Sequence, residues 1–186
     1  MRIISGYLKG RIIENKKIEG TRPTMDRVKE SLFAMIQNSI KDSVFLDLFS
    51  GSGSIGIEAI SNGSKEVYFV DNNNLCIKEI KKNIKNFNIE KYSKLLNMDY
   101  LKALDYLKNN NIKLDIIFID PPYKFKVYES ILDYINKNEL IKENGLIILE
   151  TDDNKLQPSY SNLLLIKEKK YGDKYIFIYK KGDSDE

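Results

Sequence analysis

Residues 44–56 read VFLDLFSGSGSIG, and this stretch decides the fold. Its first five residues form an apolar, strand-sized run, and the glycines that follow predict a tight loop opening a helix that runs through Ile60. Gly51-Ser-Gly53-Ser-Ile-Gly56 satisfies the G-x-G-x-x-G pattern. This pattern lets the backbone turn sharply and come close to a ligand. We therefore expect a buried strand, a ligand-binding loop and a helix, in that order.

Outward from this stretch, apolar runs alternate with segments of helical periodicity. Such alternation predicts an α/β protein with a mostly parallel sheet covered on both faces. The last two runs flank Lys170-Tyr-Gly-Asp173 and predict an antiparallel hairpin at an edge of the sheet. The predicted strands are 44–48, 66–70, 93–96, 114–119, 145–150, 163–168 and 175–179, and the predicted helices include 73–87, 101–107 and one that starts near 128.

The first 40 residues differ from this pattern and predict an extension of the core. Residues 2–14 have two short β-branched runs around a glycine-containing turn, which is typical of a β-hairpin. Thr24 is a predicted N-cap of the helix that follows. We expect one domain over residues 1–186, with 1–40 as the extension, 44–181 as the Rossmann-like core and 182–186 as a frayed tail.

Composition narrows the chemistry. The 186 residues carry a net charge of +3, no histidine and one cysteine, Cys76. Histidine-dependent triads are therefore excluded, few good ligands exist for a metal, and we expect none. A single cysteine cannot form an intramolecular disulfide, and no targeting or membrane-spanning segment is evident, so we expect a cytoplasmic protein.

Basic residues concentrate near the amino terminus. Residues 1–30 contain eight Lys or Arg against four acids. This excess suits a surface that faces phosphates, although a solvated amphipathic start would have the same composition. The residues in this segment that could contact the phosphates of a nucleic acid are Arg2, Lys9, Arg11, Arg22, Thr24 and Arg27.

Three acids lie at or after the ends of predicted strands and indicate the ligand of the glycine loop. Asp71 comes 20 residues after Gly51, where a carboxylate can accept hydrogen bonds from ribose hydroxyls. Asp47 would repel the pyrophosphate of a dinucleotide and favours a ligand that carries an amino group and a sulfonium. Asp99 could accept a hydrogen bond from an adenine amino group, or it could simply cap the next helix.

Asp120-Pro121-Pro122-Tyr123 follows the fourth predicted strand. The Asp120 carboxylate and the Pro121 carbonyl can accept both N–H groups of an exocyclic amine, which localises the nitrogen lone pair. Consecutive prolines fix the direction of that carbonyl, and Tyr123 offers a face on which an extruded base could stack, worth roughly 1–3 kcal/mol. The alternative is a proline-stiffened turn in which Asp120 caps and Tyr123 packs.

Taken together, these motifs resemble those of the bacterial 16S ribosomal RNA guanine-N2 methyltransferases that act on guanine 966 of the small subunit. The resemblance covers nearly the whole chain. The glycine loop and the Asp-Pro-Pro-Tyr element are shared by many amino-methyltransferases. The N-terminal hairpin and Arg22-Pro23-Thr24 are the features that distinguish this family among them. The matching segments are 2–6, 10–11, 21–24, 26–28, 31–33, 47–53, 120–123 and 171–173.

The resemblance implies the seven-strand class I methyltransferase fold, S-adenosylmethionine as methyl donor, and RNA of the small ribosomal subunit or its assembly intermediate as substrate. It also implies the role of each site residue, and we expect a monomer. Asp120, Pro121, Pro122 and Tyr123 would hold the target guanine. The donor would be held by Asp47, Phe49, Gly51, Gly53, Asp71, Asn72, Asp99 and Asp120.

Three alternatives stay open at this point. A DNA adenine-N6 methyltransferase uses the same amine-gripping chemistry, although 186 residues leave little room for a target-recognition domain. A nicotinamide-dependent oxidoreductase would explain the glycine pattern but not Asp47. A non-catalytic RNA-binding assembly factor would retain the fold without needing Asp120.

Overall fold

The computed structural model describes residues 1–15, 26–122, 127–153 and 155–182. Within these residues, helices and strands alternate from β1 to β5, as the sequence predicts. The helices are α1 (Asp26–Ile40), α2 (Ser54–Ser61), α3 (Asn74–Phe87), α4 (Tyr100–Asn109) and α5 (Tyr128–Lys137). The strands are β1 (Val44–Asp47), β2 (Glu66–Val70), β3 (Ser93–Leu96), β4 (Leu114–Ile119), β5 (Ile141–Thr151), β6 (Ser159–Tyr160), β7 (Leu163–Tyr171) and β8 (Lys174–Lys181).

All of these strands belong to one sheet, in the order β3-β2-β1-β4-β5-β8-β7-β6. Strands β1 to β5 are parallel, and β8 joins β5 antiparallel. The predicted α/β class and the antiparallel hairpin of β7 and β8 are confirmed. The sheet has one strand more than the seven that we expected, because the two-residue β6 pairs with β7. A strand of two residues is too short to leave an alternating pattern in the sequence.

The order of the strands reverses at β1, which has β2 on one side and β4 on the other. Asp47 of β1 pairs with Phe69 of β2 and Phe118 of β4, so the three strands end at nearly the same level. In open α/β sheets, ligands bind outside the carboxyl ends of the strands at this kind of switch point. The residues that follow β1, β2 and β4 therefore meet in one crevice.

The core lies on both faces of the sheet. In β4, Ile116 and Phe118 pack into one apolar cluster, and Ile117 and Ile119 pack into the other. Successive side chains of a strand point to opposite faces, so a strand covered on both sides is apolar throughout. This explains why β4 appears in the sequence as an uninterrupted apolar run. Helices α1, α2 and α3 contribute to the first cluster, and α4 and α5 to the second.

The predicted N-terminal hairpin is present only in reduced form. One isolated antiparallel bridge joins Arg2 to Ile12, and the Ile3 N–H donates to the Arg11 carbonyl at 2.9 Å. The residues between them form turns instead of a ladder. Gly6 has a φ of 76°, and a Cβ there would lie 1.9 Å from the Ser61 carbonyl oxygen. The close approach of this segment to α2 thus replaces regular strand pairing.

The extension is tied to the core by a buried ion pair. Lys29 of α1 and Glu58 of α2 are fully buried, with 3.1 Å between Nζ and Oε2. Glu58 also accepts hydrogen bonds from the backbone N–H groups of Ile4 at 3.0 Å and Ser5 at 2.7 Å. Buried charges are tolerated when they are paired and hydrogen-bonded in this way.

In the portion of the chain that the structure describes, no helix is both long enough and apolar enough to cross a membrane.

Candidate active site

A cavity of about 250 Å³ opens at the carboxyl ends of the parallel strands. It contains most of the acids and loop residues that the sequence singled out, although they are distant in the chain. The predicted residues that line it are Asp47, Phe49, Gly51, Asp71, Asn72, Asp99, Asp120, Pro121 and Pro122. Its wall also includes residues that sequence reasoning did not name, among them Ser50, Met98, Tyr100 and Lys174.

Asp47 lies at the bottom of this cavity and is 1% exposed. Burial, with a smaller contribution from the nearby carboxyl groups of Asp71 and Asp120, raises the pKa of Asp47 to about 7. A hydrogen bond of 3.2 Å from the Gly56 N–H offsets part of this effect. A cationic ligand would favour the ionised form of Asp47. This agrees with the sequence argument against a pyrophosphate at this position.

Asp71 has a role in the loop that the sequence did not predict. One of its carboxylate oxygens accepts from the Gly51 N–H at 2.9 Å, and the other from the Asn73 N–H at 2.8 Å. Burial raises the pKa of Asp71, and these two hydrogen bonds counteract the rise. A carboxylate has about four acceptor positions, so Asp71 can hold the glycine loop and still accept ligand hydroxyls.

The glycine loop is also held by Ser50, which sequence reasoning missed. The Ser50 hydroxyl donates to the Asp47 carbonyl at 2.8 Å and accepts from the Val70 N–H at 2.9 Å. These bonds join the ends of β1 and β2. A serine after a buried strand is common in loops, so nothing in the sequence indicated this role.

The two glycines of the loop have different surroundings. Gly51 has a φ of 52°, and a Cβ there would meet no atom within 4 Å, so its backbone faces open space in the cavity wall. Gly53 is the N-cap of α2, and a Cβ there would lie 2.8 Å from Ile80 Cγ1. Gly53 is not among the residues that line the cavity, and it serves helix packing.

One side of the cavity is partly apolar. The Phe49 and Tyr100 rings lie 5.3 Å apart between centroids, and Met98 lies beside them in the wall. Asp99 caps α4, because its Oδ1 accepts from the Leu101 N–H at 2.9 Å, and it also lines the cavity. The capping interpretation of Asp99 is therefore correct without excluding a ligand contact.

Asp120 and Pro121 form part of the wall between this cavity and a second one of about 270 Å³. Pro121 is buried, and Asp120 is partly exposed. Tyr123, which we predicted to stack on a base, lies outside the described residues. The two cavities are adjacent, because Asp120, Pro121 and Lys174 line both.

An ion pair that sequence reasoning missed lies in the second cavity. Lys174, at the start of β8, pairs with Glu150 near the end of β5. Glu150 is 1% exposed, and its backbone carbonyl accepts from the Tyr128 hydroxyl at 2.8 Å. The sequence carried one indication of a role for Glu150, which is its position at the end of the fifth predicted strand. That end lies at the same edge of the sheet as Asp47. Lys174 could not be placed there without the antiparallel pairing of β5 with β8.

The N-terminal basic residues that the structure describes are not part of either cavity wall. Arg11 donates to the Asn86 carbonyl at 2.9 Å and lies 4.6 Å above the centre of the Phe87 ring, so it packs against the end of α3. Arg2, Lys9 and Arg27 are exposed, and none of these four lines either cavity. Arg22 and Thr24 lie outside the described residues.

Among the residues that the structure describes, no group of three or more Cys, Asp or Glu side chains could hold a metal ion. The first cavity is lined by carboxylates, hydroxyls, backbone groups, an aromatic pair and the Lys174 ammonium. A parallel sheet with a glycine loop after β1, an acid after β2 and Asp-Pro-Pro after β4 defines the class of S-adenosylmethionine-dependent methyltransferases. The carboxylates and partly apolar wall fit the cationic and adenosyl parts of that donor.

Comparison with known proteins places the chain within this class. The model of the family described as Conserved hypothetical protein 95 matches residues 1–180, and the chain belongs to that family. It is similar to Ribosomal RNA small subunit methyltransferase D of Haemophilus influenzae, with 37% identity over 92% of this chain and 89% of that protein. These matches confirm the resemblance that the sequence motifs indicate.

Solved structures of other proteins have the same fold. The Escherichia coli protein yhhF has 28% identity and a TM-score of 0.86, with 98% of both chains covered. An RNA methyltransferase from Salinibacter ruber in complex with S-adenosyl-L-homocysteine has 13% identity and a TM-score of 0.68, over 89% of this chain and 97% of that one. At that identity, the second match shows a shared fold.

Proposed function

We propose that this protein transfers a methyl group from S-adenosylmethionine to the exocyclic N2 amine of a guanine in 16S ribosomal RNA of the small subunit. The observation that carries the proposal is the position of Asp120 and Pro121 in the walls of two adjacent cavities. One cavity is lined by groups that suit S-adenosylmethionine, and the other is large enough for a base. The relative from Haemophilus influenzae, named for this class of reaction, supports ribosomal RNA as the substrate.

The residues of the first cavity would hold the donor by their chemistry. Asp47 is almost fully buried and suits the cationic methionine end. Asp71 suits the ribose hydroxyls, while Phe49, Asp99 and Tyr100 suit the adenine ring and its amino group. When bound, the donor supplies an electrophilic methyl group on a positively charged sulfur.

Asp120 and Pro121 would prepare the acceptor amine. The lone pair of an exocyclic amine is delocalised into the ring, so the amine is a weak nucleophile. The Asp120 carboxylate and the Pro121 carbonyl can each accept one of its N–H groups, which favours tetrahedral nitrogen and localises the lone pair. A nitrogen–carbon bond then forms as the sulfur–carbon bond breaks, and the extra proton leaves the nitrogen for Asp120 or water. Orientation of the two groups makes the main contribution to the rate.

The direct test is transfer of labelled methyl from S-adenosylmethionine to three substrates side by side. These are small ribosomal subunits lacking the modification, naked ribosomal RNA, and duplex DNA. Nuclease digestion would identify the labelled nucleoside, with protein carrying Asp120→Ala as the matched control. We expect N2-methylguanosine from the ribosomal substrate. Label recovered as N6-methyladenine in DNA, or no label while the donor binds normally, would overturn the proposal.

A further inference from the structure

The second cavity contains a buried acid that the transfer of the methyl group does not use. Glu150 is 1% exposed, lines that cavity, and pairs with Lys174 through one carboxylate oxygen. The other oxygen, Oε2, is buried, and no donor within the described part of the chain bonds to it. A buried acceptor without a donor is unfavourable. Glu150 is therefore suited to a ligand that brings an N–H or O–H group.

Glu150 lies near the groups proposed to bind the acceptor amine, so the base that carries this amine can supply the missing hydrogen-bond donor. Glu150 shares the second cavity with Asp120 and Pro121, the two groups proposed to accept from the exocyclic amine. A planar base held there by its amine would present the ring atom beside that amine to a further group in the same wall. What this ring atom offers differs from base to base.

Guanine alone among the amino bases has a ring N–H next to its exocyclic amine. Its N1–H adjoins N2, and both are donors. In adenine the ring nitrogen beside the amine is N1, and in cytosine it is N3; each carries a lone pair and would be repelled by a carboxylate. A carboxylate beside the amine-binding groups would thus accept from guanine and disfavour the other two bases.

We propose that Glu150 determines base specificity by accepting a hydrogen bond from the guanine N1–H, an inference that rests on the proposed function. Lys174 is the positioning residue, because its ammonium pairs with the same carboxylate and balances its charge in a buried setting. Tyr128 fixes the backbone at this point, since its hydroxyl donates to the Glu150 carbonyl at 2.8 Å. Lys174 also lines the donor cavity, so it lies in the wall that the two cavities share.

The experiment compares two bases at the methylated position, once the target guanine is identified. Ribosomal RNA would carry either guanine or 2,6-diaminopurine there, introduced by ligation of a synthetic segment. 2,6-Diaminopurine keeps the 2-amino group and has a lone pair at N1 in place of N1–H. For the unaltered protein we expect kcat/KM to be lower with 2,6-diaminopurine by about 100-fold or more, because a site built for a donor rejects an analogue lacking it.

The Glu150→Gln variant should lose most of this discrimination, to about tenfold or less, because an amide can donate to the N1 lone pair as well as accept. Glu168→Gln is the matched control: Glu168 is exposed on β7 and lines neither cavity, and the variant should discriminate as the unaltered protein does. Affinity for S-adenosylmethionine, measured by calorimetry, verifies that each variant is folded.

Glu150→Gln removes the charge that pairs with Lys174 and could prevent folding. The double variant Glu150→Gln with Lys174→Met removes both charges and serves as the second test, with the same loss of discrimination expected. If either variant is folded and still rejects 2,6-diaminopurine as strongly as the unaltered protein, the inference is wrong. If the unaltered protein forms no N2-methylguanosine at all, the proposed function fails instead, so the two failures are distinguishable.

Discussion

The two cavities share Asp120, Pro121 and Lys174 but are built differently. The first is lined by residues that follow successive parallel strands, and its glycine loop is cross-linked by Ser50 and Asp71. The second lies between β5, β8 and the start of α5, and its most buried polar group is an ion pair across antiparallel strands. The first cavity is thus suited to one ligand, the methyl donor. The second combines residues of separate elements, which suits it to distinguishing one acceptor base from another.

This contrast predicts that donor binding and methyl transfer can be separated by mutation. Asp120→Ala should have the largest effect, lowering kcat by about 100-fold or more, since it removes a group that acts on the reacting amine. Affinity for S-adenosylmethionine should change by no more than about threefold, because Asp120 lies at the boundary of that cavity. Single-turnover methyl transfer and calorimetry measure the two quantities. Near-normal turnover would contradict the role of Asp120.

Asp71→Ala should have the opposite pattern. Loss of the ribose acceptor and of the bond to Gly51 should weaken donor binding by about 10- to 100-fold, as expected for a charge-assisted hydrogen bond in a partly buried site. At saturating donor, kcat should fall much less. Calorimetric titration tests this expectation, with the exposed Asp152→Ala as control. Unchanged affinity would mean that Asp71 serves the loop alone.

Asp47 should make donor binding depend on pH. Its pKa is raised to about 7, and a cationic donor binds the ionised form better. Affinity should therefore fall about tenfold as pH is lowered from about 8 to about 6. Asp47→Asn carries no charge at either pH, so its affinity should be weaker at the higher pH and nearly independent of pH. An equally steep pH dependence in the variant would place the titrating group elsewhere.

Asp47 should also have a smaller effect, on the stability of the folded protein in the absence of the methyl donor. The raised pKa means that the folded protein binds a proton more tightly than the unfolded chain, so the contribution of Asp47 to stability is lost as pH rises towards 7. Asp47→Asn removes this loss. The melting temperature of the variant relative to the unaltered protein should therefore be higher near pH 8 than near pH 5, where the raised group is protonated. Thermal unfolding at the two pH values tests the sign.

Much of the first cavity was predictable because three of its acids lie at the ends of apolar runs. Asp47 ends β1, Asp71 and Asp120 directly follow β2 and β4, and parallel strands end at one edge. Gly53, which we expected to hold the donor, does not line the cavity and lies against Ile80. A glycine that allows helix packing and one that faces a ligand have the same signature in the sequence, and only the position of Ile80 distinguishes them.

The N-terminal segment shows a different limit. Its β-branched residues predicted a hairpin, but the structure has a single bridge and turns that pack on α2. The backbone N–H groups of Ile4 and Ser5 bond to Glu58 instead of to a partner strand. The competing acceptor lies more than 50 residues away in the chain, so local propensity could not reveal it.

The sequence by itself determined the class of fold, the glycine loop and the acids of the donor cavity. These features depend on alternating apolar runs and on residues adjacent to them, which are local properties of the chain. Only the tertiary structure decided that Glu150 and Lys174 pair beside Asp120 and Pro121. The pairing depends on the antiparallel register of β5 and β8, with Thr151 opposite Tyr175. That register is set by packing across the whole sheet, which no local pattern specifies.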